Sequence, residues 1–163
     1  DKIARKLNLG YPGGPEISRR SELSNNNKFI FPRPMIKSND YNFSFSGLKT
    51  HVINTIQKLE LTNEHINNIS YEVQSAIVDT LISKSVEASK NLGIKNIVIT
   101  GGVSANQKLR KDFSCIKECK AYFPDVKFST DNGAMIAYAG FLKIKSSEFK
   151  KNFTIKPEPS LTL

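Results

Sequence analysis

The sequence predicts an α/β chain that is rich in helix and short of sheet. Apolar residues recur at helical spacing over several long stretches. One short β-branched run, Ile94 to Thr100, is bounded by turn residues and reads as a strand. A glycine pair, Gly101-Gly102, follows that strand and opens a further helical pattern. Hydrophobic residues make up 39% of the 163 positions, enough for one ordinary core. No apolar run reaches the roughly 18 residues that suggest a membrane span.

Asp1 to Leu9 reads as the last turns of a helix ended by Gly10, and Tyr11-Pro12-Gly13-Gly14-Pro15 as a loop. Pro15 can open a short helix carrying Ile17, Arg19 and Arg20. Ser24 to Asp40, with Asn25-Asn26-Asn27, Pro32 and Pro34, is expected as irregular surface chain. Gly47 precedes a helix to about Lys58, with Leu48, Val52, Ile53 and Ile56 on one face. A longer helix is expected from Asn63 or Ser70 to Asn91. Its buried stripe is Val73, Ile77, Val78, Leu81, Ile82 and Val86, and Gly93 stops it. After the strand, Ser104 to Lys117 is expected as a helix and Ala121 to Phe123 as a second strand. Thr130 or Asp131 would cap a last helix, Gly133 to Ser146, and the tail from Lys150 is extended. Two strands do not make an independently stable sheet, so these helices need a larger one to cover. The chain also lacks an initiator Met, so it is expected to be a processed chain, an engineered piece or a fragment.

The net charge of +9 suits a polyanionic partner such as RNA, although the basic residues are spread out and charge alone favours a Lys-rich solubilising surface. Cys115 and Cys119 would share one face if their segment were helical; that spacing fits a disulfide poorly, and two ligands do not make a zinc site. His51 and His65 are the only histidines. They lie too far apart for a metal-binding pair on one helix and are expected at the surface. The strand, glycine turn and helix of Ile97 to Asn106 offer close backbone approach and free N–H groups to an anion, and Asn106 adds a donor and an acceptor. Ser129-Thr130-Asp131-Asn132-Gly133 repeats that arrangement at a second helix start, where Asp131 could cap the helix or face a cleft. Gly13-Gly14 is a third place for close approach.

Four motifs occur in order: Leu9-Gly10-Tyr11-Pro12-Gly13-Gly14-Pro15, Phe43-Ser44-Phe45-Ser46-Gly47-Leu48-Lys49-Thr50, Gly101-Gly102-Val103-Ser104-Ala105-Asn106 and Thr130-Asp131-Asn132-Gly133-Ala134-Met135, with Phe31-Pro32-Arg33-Pro34 between the first two. Together they resemble the TsaD family of tRNA threonylcarbamoyladenosine transferases, formerly described as O-sialoglycoprotein endopeptidases, over essentially the whole chain.

The resemblance implies part of the C-terminal lobe of an actin-like ATPase (ASKHA) fold. It makes 1–68 a helical and loop insertion, 69–149 an αβαβα segment of that lobe, and 150–163 an extended tail. It implies transfer of a threonylcarbamoyl group from threonylcarbamoyl-AMP to N6 of the adenosine beside the anticodon, in tRNAs reading codons that begin with A. Residues matching the family's ligand contacts are Asp1, Gly14 and Asn106. Ser18 stands where the family often has Asp. Asp131 matches a ligand of the family's single divalent metal, iron or zinc, and Ser129 replaces a frequent Cys. The cleft ligand would be threonylcarbamoyl-AMP or ATP, with the metal polarising the carbamoyl carbonyl.

The family's His-x-x-x-His metal pair belongs to an N-terminal half that this chain lacks. One Asp would hold no metal tightly, and Asp1, at a chain end, is expected to fray. The partners implied are tRNA, TsaB-like and TsaE-like proteins and the missing N-terminal half, in a cytoplasmic or organellar setting without a membrane; the chain alone would be inactive. The competing reading is a metal-free, non-catalytic relative that serves as a binding or dimerisation module.

Overall fold

The computed structural model describes residues 1–24 and 28–146. Asn25-Asn26-Asn27 and the expected tail over 150–163 lie outside the described residues. Among the described residues, six α-helices and a two-stranded parallel sheet follow in the order α1 (Lys2–Lys6), α2 (Gly13–Ser21), α3 (Ser46–Ile56), α4 (Asn63–Leu92), β1 (Asn96–Val98), α5 (Gln107–Ser114), β2 (Lys120–Tyr122) and α6 (Gly133–Lys145). The expected α/β character holds at this level, with only these two strands among the described residues. No described helix is long and apolar enough to cross a membrane.

The axis of the molecule is α4, 30 residues or about 45 Å long at the α-helical rise. Thr62 starts it: its hydroxyl accepts from the His65 backbone N–H at 3.2 Å, so His65, expected as a plain surface residue, is half-buried at a helix cap. Gly93 stops it at φ +67, a left-handed position that favours glycine. Two cores form along it. The larger packs Leu7, Phe31, Leu48, Val52, Ile56, Ile69, Val73 and Ala76 among α1, α3, α4 and the 28–31 segment. The smaller packs Val78, Leu109, Phe113 and Cys119 under the sheet. Of the expected α4 stripe only Val73 and Val78 are fully buried. The helix is wrapped by other chain on several sides, so polar residues are buried there too, Glu72, Gln74 and Lys84 among them.

Those polar residues pin the irregular 28–45 segment. The Arg33 guanidinium pairs with the buried Glu72 carboxylate and, at 2.8 Å, with Asp79. Glu72 also accepts the Phe31 backbone N–H at 3.2 Å. Lys84 is wholly buried and donates to the Met35 carbonyl at 3.0 Å and to the Ser38 hydroxyl at 2.7 Å. A buried ammonium is tolerated only with such partners.

Several boundaries differ from the expectations. α1 stops at Lys6, and Asn8 at φ +54, not Gly10, makes the left-handed turn. α2 begins at Gly13, because Pro12 in an extended conformation is a ready cap, so Gly13-Gly14 lie in a helical first turn and not in a loop. β1 is shorter than Ile94 to Thr100 because only Asn96, Ile97 and Val98 find partners, in register with Lys120, Ala121 and Tyr122. The helix expected from Ser104 is a 3-10 turn, Gly102–Ala105, followed by α5; Asn106 stands between them with extended backbone. α5 ends at Ser114. Cys115 is therefore exposed at its end and Cys119 buried beyond it, on no common helical face.

Candidate functional site

A cavity of about 720 Å³ opens between α1, α2, α3, α4 and the turn after β1. Asp1, Gly14, Ser18 and Asn106, drawn from sequence positions more than 100 residues apart, all line it. Each arrives by a local device that the sequence supplies.

Asp1 is not frayed. Its Oδ1 accepts the Gly13 backbone N–H at 2.8 Å, which ties the start of α1 to the first turn of α2. One carboxylate oxygen is spent on that bond and Oδ2 remains. Gly13 is required by this contact: a Cβ there would stand 2.6 Å from Ala4 Cβ and 2.9 Å from Asp1 Oδ1. Gly14 has the opposite reason. A Cβ there would meet nothing within 4 Å, so its missing side chain leaves cavity space open. Ser18 follows one turn later on the same helix, half-buried at the cavity wall.

On the far side, Gly101 at φ +83 makes the turn out of the strand. The 3-10 turn then delivers Asn106, whose Oδ1 accepts the Leu109 N–H at 2.9 Å and caps α5. Its Nδ2 donates to Gln74 Oε1 at 2.8 Å. Gln74 Nε2 donates to Ser21 Oγ at 2.7 Å, and the Ser21 hydroxyl donates to the Ser18 carbonyl at 2.6 Å. The two walls are thus joined by side chains running from α5 through α4 to α2.

Sequence reasoning missed Gln74, Lys2 and Lys49. The two lysines line the cavity, where Asp1 is the only carboxylate among the described residues. That balance favours an anionic occupant. Gln74 left a readable signal: it is polar within the apolar face of Val73, Ile77 and Val78. Arg110 was missed as well. Its Nε donates to the Ser104 carbonyl and its Nη2 to the Pro124 carbonyl, both at 2.7 Å, and the guanidinium lies 5.0 Å from the Phe123 ring centroid. It therefore holds the turn after β1 against the segment that leads to Ser129.

Asp131 does not line the cavity. Its loop is nevertheless a neighbour, since a Cβ on Gly102 would lie 4.0 Å from Thr130 Cγ2. The cap of α6 is Asn132, not Thr130 or Asp131. Its Oδ1 accepts the Met135 N–H at 3.0 Å while its Nδ2 donates to the Thr130 carbonyl at 2.9 Å. Asp131 is exposed and free of that duty. Among the described residues no three His, Cys, Asp or Glu side chains gather as a metal site. His51 stands at the Phe31 ring and His65 at the Phe29 ring.

A family model described as TsaD, tRNA N6-adenosine threonylcarbamoyltransferase, matches residues 1–138. The chain belongs to the TsaD family. It is 45% identical over its whole length to a protein of Thermosipho africanus named tRNA N6-adenosine threonylcarbamoyltransferase, and covers 50% of that protein. Relatives of the same name from Ralstonia pickettii and Fervidobacterium nodosum are 42% and 43% identical over 90% and 98% of the chain, which covers 44% and 49% of them. The chain spans about half the length of the curated TsaD relatives it matches.

Proposed function

We propose that this chain forms one wall of the ligand cleft of a tRNA N6-adenosine threonylcarbamoyltransferase. In that reaction the N6 amine of the adenosine next to the anticodon attacks the carbamoyl carbon of threonylcarbamoyl-AMP. A C–N bond forms, the bond to the phosphate oxygen breaks, AMP leaves, and N6 gives up one proton. The substrates are tRNAs reading codons that begin with A. The observation carrying this reading is the meeting of Asp1, Gly14, Ser18 and Asn106 at one cavity flanked by Lys2 and Lys49.

Each residue has a task in it. Gly14 leaves room for the nucleotide. Asp1, with one oxygen uncommitted, suits ribose hydroxyls. Asn106 and Ser18 suit polar edges of the adenylate, and the lysines suit its phosphate. Asp131 would give one oxygen to the family's divalent iron or zinc, whose other ligands come from outside the described residues. When bound, that metal supplies carbonyl polarisation. We assign the described part of residues 69–149 to the C-terminal lobe of an actin-like fold and residues 1–68 to a helical and loop insertion. The working assembly adds the other half of the protein and TsaB-like and TsaE-like partners in the cytoplasm, and the chain alone is inactive.

The test is transfer to tRNA from threonylcarbamoyl-AMP by the intact natural protein, read by mass spectrometry of the nucleosides. Asn106→Ala should lower kcat/KM by about 10- to 100-fold, the cost of one or two polar contacts to a charged ligand. A folded intact protein that transfers nothing would support the non-catalytic module instead.

A further inference from the structure

The hydrogen bonds joining the cavity walls run in one direction, and their two ends fix it. At one end the Leu109 backbone N–H can only donate, and at the other the Ser18 carbonyl can only accept. Because Leu109 donates to Asn106 Oδ1, the Asn106 nitrogen must face Gln74. Gln74 then presents Oε1 to it and turns Nε2 to Ser21 Oγ, which passes its own proton to Ser18. Flipping Asn106 would set nitrogen against the Leu109 N–H and oxygen against Gln74 Oε1. Gln74 and Ser21 are 7% and 4% exposed, so little water is at hand to repair such a mismatch. Bonds aligned head to tail also polarise one another.

We infer that Gln74 is a positioning residue that locks the Asn106 amide so that Asn106 meets the occupant of the cavity as a donor, through the Nδ2 proton the chain leaves over. The occupant must then place an acceptor there, a phosphate or carbonyl oxygen. This rests on the proposed nucleotide site and adds the orientation of its asparagine and the residue that sets it. A Gln74 that merely satisfies buried polar groups would stabilise the fold without governing which atom of Asn106 faces the ligand.

The experiment uses the intact natural protein, with AMP as the probe in calorimetry and the Asn106 side-chain amide followed by NMR. Two isosteric variants add the same negative charge to the same chain. Gln74→Glu keeps the acceptor for Asn106 Nδ2. Asn106→Asp keeps the helix cap but removes the donor, so the Gln74 amide must turn over, and Ser21 must give up its bond to the Ser18 carbonyl to donate to Gln74 Oε1. AMP affinity should fall by roughly tenfold or more in Asn106→Asp and Asn106→Ala, and by clearly less in Gln74→Glu, which adds the same charge but keeps the Asn106 donor. Gln74→Met, which offers no acceptor, should weaken AMP by roughly 3- to 10-fold, and the Asn106 side-chain amide should lose its protection from exchange. Gln74→Glu should restore that protection even if it melts lower. Parent-like binding by Gln74→Met overturns the inference, as do equal losses in Gln74→Glu and Asn106→Asp; in both cases a weak Asn106→Ala leaves the site reading standing. Unchanged binding by Asn106→Ala overturns the site reading itself and the donor role with it. Should Gln74→Met not fold, the two isosteric variants decide the question alone.

Discussion

The segments on either side of the cavity are built to different standards. On one side α1, α2 and α3 lie against α4 around eight buried apolar residues, and Arg33, Glu72 and Lys84 stitch the connecting chain down. On the other, two strands of three residues each rest on α5 over four buried residues. Beyond them α6 buries none of its residues: Ile136, Tyr138 and Phe141 are 66%, 64% and 56% exposed. Stability follows apolar burial. The helical body can therefore hold its own shape, whereas the strand segment owes much of its order to α4. A site made of both inherits a firm wall and a soft one.

The sharpest way to break this comparison is to truncate each core. Phe31→Ala, in the helical body, should cost about 3–5 kcal/mol in denaturant unfolding and loosen the whole molecule. Leu109→Ala should cost less, about 2–3 kcal/mol, with amide exchange accelerated chiefly across β1, α5 and β2. Equal, global effects of the two would erase the distinction.

The glycine pair sharpens it at the level of single atoms. Gly13→Ala drives a Cβ into Ala4 and Asp1, and should destabilise by about 1–3 kcal/mol in thermal or urea melts. On α6, Ile136→Ser should move the stability of this 163-residue chain by no more than about 0.5 kcal/mol, because nothing covers the residue in the structure. The same exposure predicts that the 163-residue chain self-associates as concentration rises; a monomer with one sharp cooperative melt would contradict that.

The smallest effect concerns pH. The Asp40 carboxyl is held below its ordinary value of 3.8, first by the Asn42 backbone N–H, then by the Ser38 hydroxyl and Lys84. A depressed folded pKa gives stability that is present above the unfolded value and lost as pH falls through the folded one. The 38–42 turn should therefore loosen only below about pH 3.8, seen as faster exchange of the Asn42 amide.

Much of this was legible in the sequence where local rules decide. The apolar stripe and Gly93 gave the body and the end of α4, and the cavity residues Asp1, Gly14, Ser18 and Asn106 came from the family resemblance. What escaped depended on distant partners. Gln74 and Lys84 look like surface residues on a hydropathy scale, and only the fold brings Ser21, Asn106 and the Met35 carbonyl to them. Asp131 and Asn132 are equally good caps by type, and the choice fell to Asn132 because it alone also reaches the Thr130 carbonyl. Sequence placed Asn106 inside a helix, yet its extended backbone at the helix start is what turns its side chain into a link between the walls.

The account stands most directly on Gly14. A Cβ there meets no described atom within 4 Å, and a branched side chain built on it would enter the space assigned to the nucleotide. In the intact natural protein, Gly14→Val should melt at the parent temperature or higher, since glycine is a poor helix former, and should bind AMP at least about tenfold more weakly by calorimetry. Parent-like AMP affinity in a folded Gly14→Val protein would contradict the cavity as the nucleotide site.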